Sequence, residues 1–419
     1  MNVKIRLTIM NFLQFFVWGS WLITIANYWF GTMGWGPTEF GAVFLTLGIA
    51  SIFMPAITGI IADRWVNAEI VYAVSHILAG LAIASLPFVS DPNTFFWVML
   101  FAMSFYMPTI ALTNTIGYNA LSQAKFDVVK AFPPIRVWGT IGFIAAMWFT
   151  NLTGNKSSEN MFYISAVASM LLGVYSFTLP KCPPLQKSAE KTSFVKMLGL
   201  EAFKLFANYK MAIFFIFSML LGASLQLTNM YGDMFISHFE KIPQYADSSV
   251  VKYSTIVMSI SQISETLFIL TIPFFLKRFG IKKVMLMSMF AWVLRFALFG
   301  IGEPDGFGLV FIILSMVIYG MAFDFFNISG SLFIETETDN KLRGSAQGLF
   351  MMMTNGFGTI IGALGSGIII DTFYVLPDKS WDWQGIWIGF AIYALIVGVL
   401  FMFLFKHKHD PEAIKDIKH

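Results

Sequence analysis

Glu265 and Asp324 sit inside the apolar runs Ile263-Ser264-Glu265-Thr266-Leu267 and Ala322-Phe323-Asp324-Phe325-Phe326. An ionised carboxylate at the centre of a bilayer costs about 2.5 to 3.5 kcal/mol on insertion scales, so each must face a cavity, a partner or a proton. The chemistry this suits is proton uptake and release, because burial favours the neutral carboxyl. Other polar side chains gather on helical faces. Gly222, Gln226, Asn229 and Asp233 step by four, three and four; Gln262 and Glu265 are three apart; Tyr319, Phe323, Asn327 and Ser331 step by four, with Asp324 rotated about 100° from that stack. Arg136, Thr140 and Phe143 step by four and three. Amides read donor and acceptor edges, aromatic faces stack on planar rings, and a carboxylate accepts from hydroxyls. The set suits a ligand with a flat ring and a polyol, as in a nucleoside.

The elements that must position these groups are membrane helices. Hydrophobic residues make up 57% of the 419-residue chain and charged residues only 12%, a balance no soluble domain has. A helix crosses the hydrocarbon core in about 20 mainly apolar residues. Twelve such stretches are predicted, at 8–30, 39–62, 69–89, 94–117, 136–154 and 161–179, then 210–237, 250–276, 281–300, 308–333, 343–371 and 384–405. They imply an all-α membrane protein with a six-helix bundle over 1–179, a linker over 180–209, a second six-helix bundle over 210–405 and a tail over 406–419. With the N-terminus inside, 22 of the 27 Lys and Arg fall on inner segments; four (Lys156, Lys241, Lys252, Lys379) fall outside, and Arg295 lies within span nine. Basic residues accumulate in short cytoplasmic loops, so both termini and the linker are expected in the cytoplasm.

That bias accounts for the net charge of +3 and removes the case for a nucleic-acid partner. The single cysteine, Cys182, excludes an internal disulfide and has no metal-ligand neighbours, so no metal site is expected. The basic start before span one is followed by a long apolar run without a small-residue cleavage pattern, and reads as an uncleaved first span. A membrane transferase would need carboxylates or histidines clustered at a membrane face. The one cluster, Glu335, Glu337 and Asp339, lies beside Lys341 and Arg343 and reads as an inner-loop charge network or gate. The chain is therefore not expected to be an enzyme. Arg295 and the glycines of span eleven (Gly356, Gly358, Gly362, Gly365, Gly367) read as structural. Trp18, Trp21 and Trp29 of span one read as an interface belt. His76 carries no constellation.

Two internal echoes relate the halves. Gly59 to Trp65 after span two aligns with Pro273 to Phe279 after span eight, 214 residues on; Arg136 to Phe143 opening span five aligns with Arg343 to Phe350 opening span eleven, 207 residues on. Such offsets in a six-plus-six plan indicate a parallel duplication. From residues alone, a proton-coupled sugar or polyol carrier and a non-transporting nucleoside sensor remain rivals to a nucleoside carrier.

The architecture resembles the major facilitator superfamily, and Gly59 to Arg64 is similar to that family's loop motif, whose later glycine and basic pair are missing after Arg64 but restored at Gly280, Lys282 and Lys283. The resemblance implies a cytoplasmic gate at Asp63 and Arg64. Four strings, Phe132-Pro133-Pro134-Ile135-Arg136 through Phe143, Met211 to Gly222, Ser259 to Phe268 and Ala322 to Ser331, make the chain resemble the nucleoside:proton symporter family of that superfamily along essentially its whole length. This implies a nucleoside site lined by Arg136, Thr140, Phe143, Gln226, Asn229, Gln262, Glu265, Tyr319 and Phe323, with Asp324 beside it. It also implies a multi-pass monomer of the bacterial inner membrane with no cofactor and a proton as coupling ion. The mechanism is then alternating access: two bundles rock about a midplane site, and proton and nucleoside load together to remove the charge that penalises occlusion. Asp324 is assigned to proton coupling and Glu265 mainly to sugar hydroxyls, because Glu265 shares its face with Gln262 while Asp324 stands off the aromatic stack.

Overall fold

The computed structural model describes residues 2–184, 200–339 and 342–407; linker residues 185–199, residues 340–341 and tail residues 408–419 lie outside the described residues. Among the described residues the helices fall into twelve stretches, apart from short 3-10 segments such as Leu200–Ala207, and the only extended pairing is an isolated bridge between Val375 and Trp381. Eight stretches are by themselves long and apolar enough to cross a membrane. The chain divides into two units, Met1–Leu198 and Gly199–His419.

Helix starts follow side-chain chemistry. Asn2, Asp91, Asn208, Asp305 and Asp382 each accept a backbone N–H at the head of a helix, satisfying donors that the helix itself leaves open. Asp91 and Asp305 head two 32-residue helices, Pro92–Gln123 and Gly306–Glu337, and stand 214 residues apart, a third echo of the duplication. In the first unit the spans are Val3–Gly19 with a π-helical Asn27–Thr32, then Pro37–Arg64, Ala68–Ser85, Pro92–Gln123, Val128–Leu152 and Asn160–Ser176. In the second they are Tyr209–His238, a broken span eight, span nine ending at Gly300, Gly306–Glu337, a span eleven of Arg343–Met351 and Thr359–Phe373 joined by π-helical Met352–Gly358, and Trp383–Leu404. Span eight is cut into Ser249–Lys252, Ser254–Met258 and Ile260–Ile269 before helix resumes at Ile272. Gly280, at φ 77°, breaks the helix between spans eight and nine in a conformation that penalises any side chain.

Packing within each unit repeats. In the first, span one packs on five, two on four, and three on both four and six. In the second, seven packs on eleven, eight on ten, and nine on both ten and twelve. Glycine sets the closest of these approaches: a Cβ at Gly142 would lie 2.1 Å from the Phe12 carbonyl oxygen, and one at Gly222 would lie 2.1 Å from that of Thr354. Leu81, Leu171 and Val174 in one unit, and Leu267, Leu294 and Ile396 in the other, present exposed apolar surface suited to lipid.

Two readings change, and one docking contact is added. Trp21 and Trp29 are buried within the first unit, with Trp29 packed on Trp35, Phe40 and Phe95, so they are core residues and not an interface belt. Span ten runs on through Glu337, which places Glu335 and Glu337 on a helix end and not in a loop. There Glu335 pairs with Arg343 at 3.2 Å and Glu337 with Lys210 at 2.5 Å, tying spans seven, ten and eleven. Finally, the linker begins docked: the Cys182 amide donates to Glu69 Oε2 at 2.7 Å and the Cys182 carbonyl accepts from Ala68 N at 3.0 Å. Burial, and then the carboxylates of Glu69 and Asp63, push the Cys182 thiol up to about 11, which keeps it an unreactive thiol near neutral pH.

Candidate functional site

In the second unit spans eight and ten, which carry Gln262, Glu265, Tyr319, Phe323 and Asp324, cross at Gly320. A Cβ at Gly320 would lie 2.6 Å from the Ser264 carbonyl oxygen and 2.8 Å from Glu265 N, so the two backbones touch at the residue that carries the carboxylate. Ser264 reinforces the crossing by donating its hydroxyl to the Val317 carbonyl. One residue before Gly320, Tyr319 lies parallel to Phe323, with ring centroids 5.9 Å apart and planes 8° from coplanar. Their spacing of four builds this pair on one helical face. Asp324 is turned away from it and only 5% exposed, and its Oδ2 has no hydrogen-bond partner. Glu265, partly exposed, lies within electrostatic reach of both Tyr319 and Asp324.

Gln262 Oε1, one turn before Glu265, is likewise buried without a hydrogen-bond partner. On span seven Gln226 donates to Thr359 Oγ1 of span eleven at 3.0 Å while its Oε1 has none. Asn229 is partly exposed, and Asp233, two turns on from Gln226, is fully buried. Span seven's face therefore grades from a helix contact at Gly222, through a half-satisfied amide, to an interior acid.

Because Gly320 lets span ten touch span eight beside Glu265, Gly320→Val is expected to lower uptake of the ligand that the sequence reading expects, a nucleoside, at least about ten-fold per molecule inserted. Uptake normalised to the amount of protein in the membrane tests this. Uptake at the parental level per molecule would mean that the crossing does not position the carboxylate.

In the first unit the Arg136 guanidinium lies over the Phe15 ring at 4.2 Å, and Gly139 leaves the space both occupy, since its Cβ would fall 2.5 Å from Arg136 Nη1. Thr140 and Phe143 follow on the same helix, partly exposed. Phe143 meets Trp18 edge-on at 6.4 Å, and Trp18 leans on Tyr106 at 5.9 Å. Behind them is a network that the sequence reading missed. Gln14, wholly buried on span one, accepts from Tyr72 Oη at 2.6 Å and Thr113 Oγ1 at 3.2 Å, faces His76 Nε2 at 2.8 Å and donates to Thr109 Oγ1 at 2.8 Å. Tyr106 Oη donates to the Gln14 carbonyl at 2.7 Å. The signal was a glutamine and a histidine inside apolar runs; each alone reads as packing, and only the fold brings them together. Asp63 and Arg64 close the second helix, where a last-turn cation suits the helix dipole.

Two six-helix units with the same internal packing, the second carrying Glu265 and Asp324 inside its spans, have the major facilitator superfamily fold of secondary transporters. A D-xylose-proton symporter, 14% identical, shares that fold with a TM-score of 0.71 over 98% of each chain. The family model described as Nucleoside H+ symporter matches residues 1–410, and the chain belongs to that family. It is 52% identical over 415 residues to a xanthosine permease of Escherichia coli K12, covering 99% of each chain. It is 51% identical over 421 residues to the nucleoside permease NupG of the same organism, covering 100% of each. A crystal structure of NupG superposes with a TM-score of 0.91, covering 97% of this chain and 100% of that one.

Proposed function

We propose that this protein imports nucleosides, uridine among them, across the bacterial inner membrane by proton symport, both termini facing the cytoplasm and a monomer sufficing. The observation that carries the reading is the parallel Tyr319–Phe323 pair beside Glu265 and Asp324, two acids within electrostatic reach of each other. Stacked rings hold a base, and Gln226, Asn229 and Gln262 supply amides for its edges. Arg136, Thr140 and Phe143 of the first unit are assigned to the nucleoside as well, and Asp63 with Arg64 serves as a cytoplasmic gate. Glu265 accepts from sugar hydroxyls, while Asp324 takes a proton from outside and yields it inside. Occlusion is permitted once the acid is neutral and the ligand is in place. No cofactor is required.

The test is radiolabelled uridine uptake into proteoliposomes under an imposed pH gradient, inside alkaline. Accumulation is expected to be competed by adenosine and not by glucose or free uracil. Competition by glucose would instead indicate a polyol carrier, and binding without uptake a sensor.

A further inference from the structure

Arg295 is 1% exposed in the last third of span nine, and its guanidinium is held by neutral groups. A cation buried at membrane depth is costly enough to ask what holds it there. Its Nη1 donates to the Ser315 carbonyl at 2.6 Å, and both Nη atoms approach Ser261 Oγ at 3.3 Å. Ser261 in turn turns its own proton toward Met316 Sδ at 3.3 Å, leaving its lone pairs to the arginine. Ser315 closes the loop by donating to the Arg295 carbonyl at 3.0 Å. The guanidinium carbon stands 4.7 Å from the centre of the Tyr319 ring and 5.2 Å from that of Phe299.

The side chain therefore grips both helices of the crossing, spans eight and ten. Ser261 is the neighbour of Gln262 and lies four residues before Glu265, and Tyr319 is one half of the stacking pair. Trp292, one turn earlier on span nine, buttresses the same ring edge-on at 5.9 Å. The charge also has an address. Tyr319 lies within electrostatic reach of Arg295, Glu265 and Asp324 together. Span twelve, also packed on span nine, sets Trp387 on Phe296 and Phe299, and its Tyr393 gives its hydroxyl to Leu220 on span seven. The titratable group set against this arginine is Tyr319, and Glu265 and Asp324 lie within electrostatic reach of that same ring.

Resting on the nucleoside:proton reading, we propose that Arg295 is a positioning residue that clamps Tyr319 and Ser261 and serves as the internal counter-charge of the Glu265–Asp324 pair. A guanidinium stays protonated across the physiological range, so its field favours ionised carboxylates at every stage of the cycle. Without it the acids hold their protons to higher pH. A packing role alone would change the amount of folded protein and leave the pH dependence where it was.

Uridine uptake against external pH is measured for the parent, Arg295→Met and Arg295→Lys in proteoliposomes, with the pH dependence of Tm in detergent as a substrate-free readout. Arg295→Met is expected to move the alkaline limb of uptake, and the matching transition in Tm, upward by about half to one pH unit. Arg295→Lys keeps the charge without the fork, so the limb stays in place while KM rises about three- to ten-fold. A parental limb in Arg295→Met overturns the proposal. Should that variant fail to give a monodisperse peak, Arg295→Lys decides: a displaced limb or an unchanged KM overturns it equally. If the parent takes up neither uridine nor adenosine, the transport reading fails, while the Tm comparison still decides the role of Arg295.

Discussion

Asp324→Asn is expected to bind nucleoside with nearly parental affinity and to lose accumulation against a gradient altogether. The carboxamide matches the acid in size and can never be charged, so it imitates the protonated, loaded form permanently. Asp324 is 5% exposed with an oxygen lacking any hydrogen-bond partner, and in such a place the ionised form is the one that penalises closure. Fixing it neutral lets the carrier close with or without a transported proton, and the proton gradient then does no work on the substrate. A driving force equivalent to 100 mV is worth about 2.3 kcal/mol per charge, enough for roughly fifty-fold accumulation. The variant should equilibrate uridine to about one-fold and still catalyse exchange of labelled for unlabelled uridine, since exchange needs only reorientation of the loaded carrier. Uphill uptake at the parental ratio would remove Asp324 from the coupling step. Absent exchange together with absent binding would instead make it a ligand-contacting residue.

The faces that make up the candidate site were legible because lipid makes sequence unusually explicit. In an apolar span a polar residue stands out by type, and helical spacing then says which polar residues share a face. Tyr319 and Phe323 illustrate it: a separation of four yields the parallel pair that the structure contains. What the spacing of one helix does not give is what lies across from it. Gly320 reads as one small residue among many, and its part in placing Glu265 depends on Ser264 of another helix. Arg295 reads as an isolated cation until Ser261, Ser315 and Tyr319 are brought around it from spans eight and ten. The Gln14 network draws on spans one, three and four in the same way. The span-one tryptophans misled for a related reason. Trp is favoured both at membrane interfaces and in large aromatic cores, and composition does not separate the two.

Broken helices were the other blind spot. Apolar length forecasts that a stretch crosses, yet it does not forecast the interruptions of span eight or the π-helical segment of span eleven. The latter holds Gly358, where a Cβ would fall 2.7 Å from the Met219 carbonyl oxygen of span seven. π-Helical turns often mark functional positions, and this one falls beside the helix bearing Gln226 and Asn229. The irregular backbone therefore lies next to the side chains proposed to read the base.

Glu265→Gln is expected to fail at an earlier step than Asp324→Asn. Glu265 is partly exposed, one turn beyond Gln262 and beside Tyr319, the environment of a group that meets a ligand and not of one sealed in packing. A carboxylate accepting from two neighbouring hydroxyls of a ribose forms charge-assisted bonds worth about 1.5 to 3 kcal/mol. Glutamine keeps one acceptor, adds a donor and removes the charge, so the apparent Kd for uridine should rise about 10- to 150-fold. The loss should be smaller for a nucleoside lacking one of those hydroxyls, since there is less to forfeit. Equilibrium binding of uridine and 2′-deoxyuridine to purified parent and variant separates the terms: the parent should prefer the ribose form, and the variant should lose most of that preference. Parental affinity in Glu265→Gln, with accumulation abolished, would exchange the roles of the two acids and make Glu265 the proton carrier. The same measurement on Asp324→Asn supplies the contrast, because a coupling acid leaves the ribose preference intact and a sugar-binding acid does not.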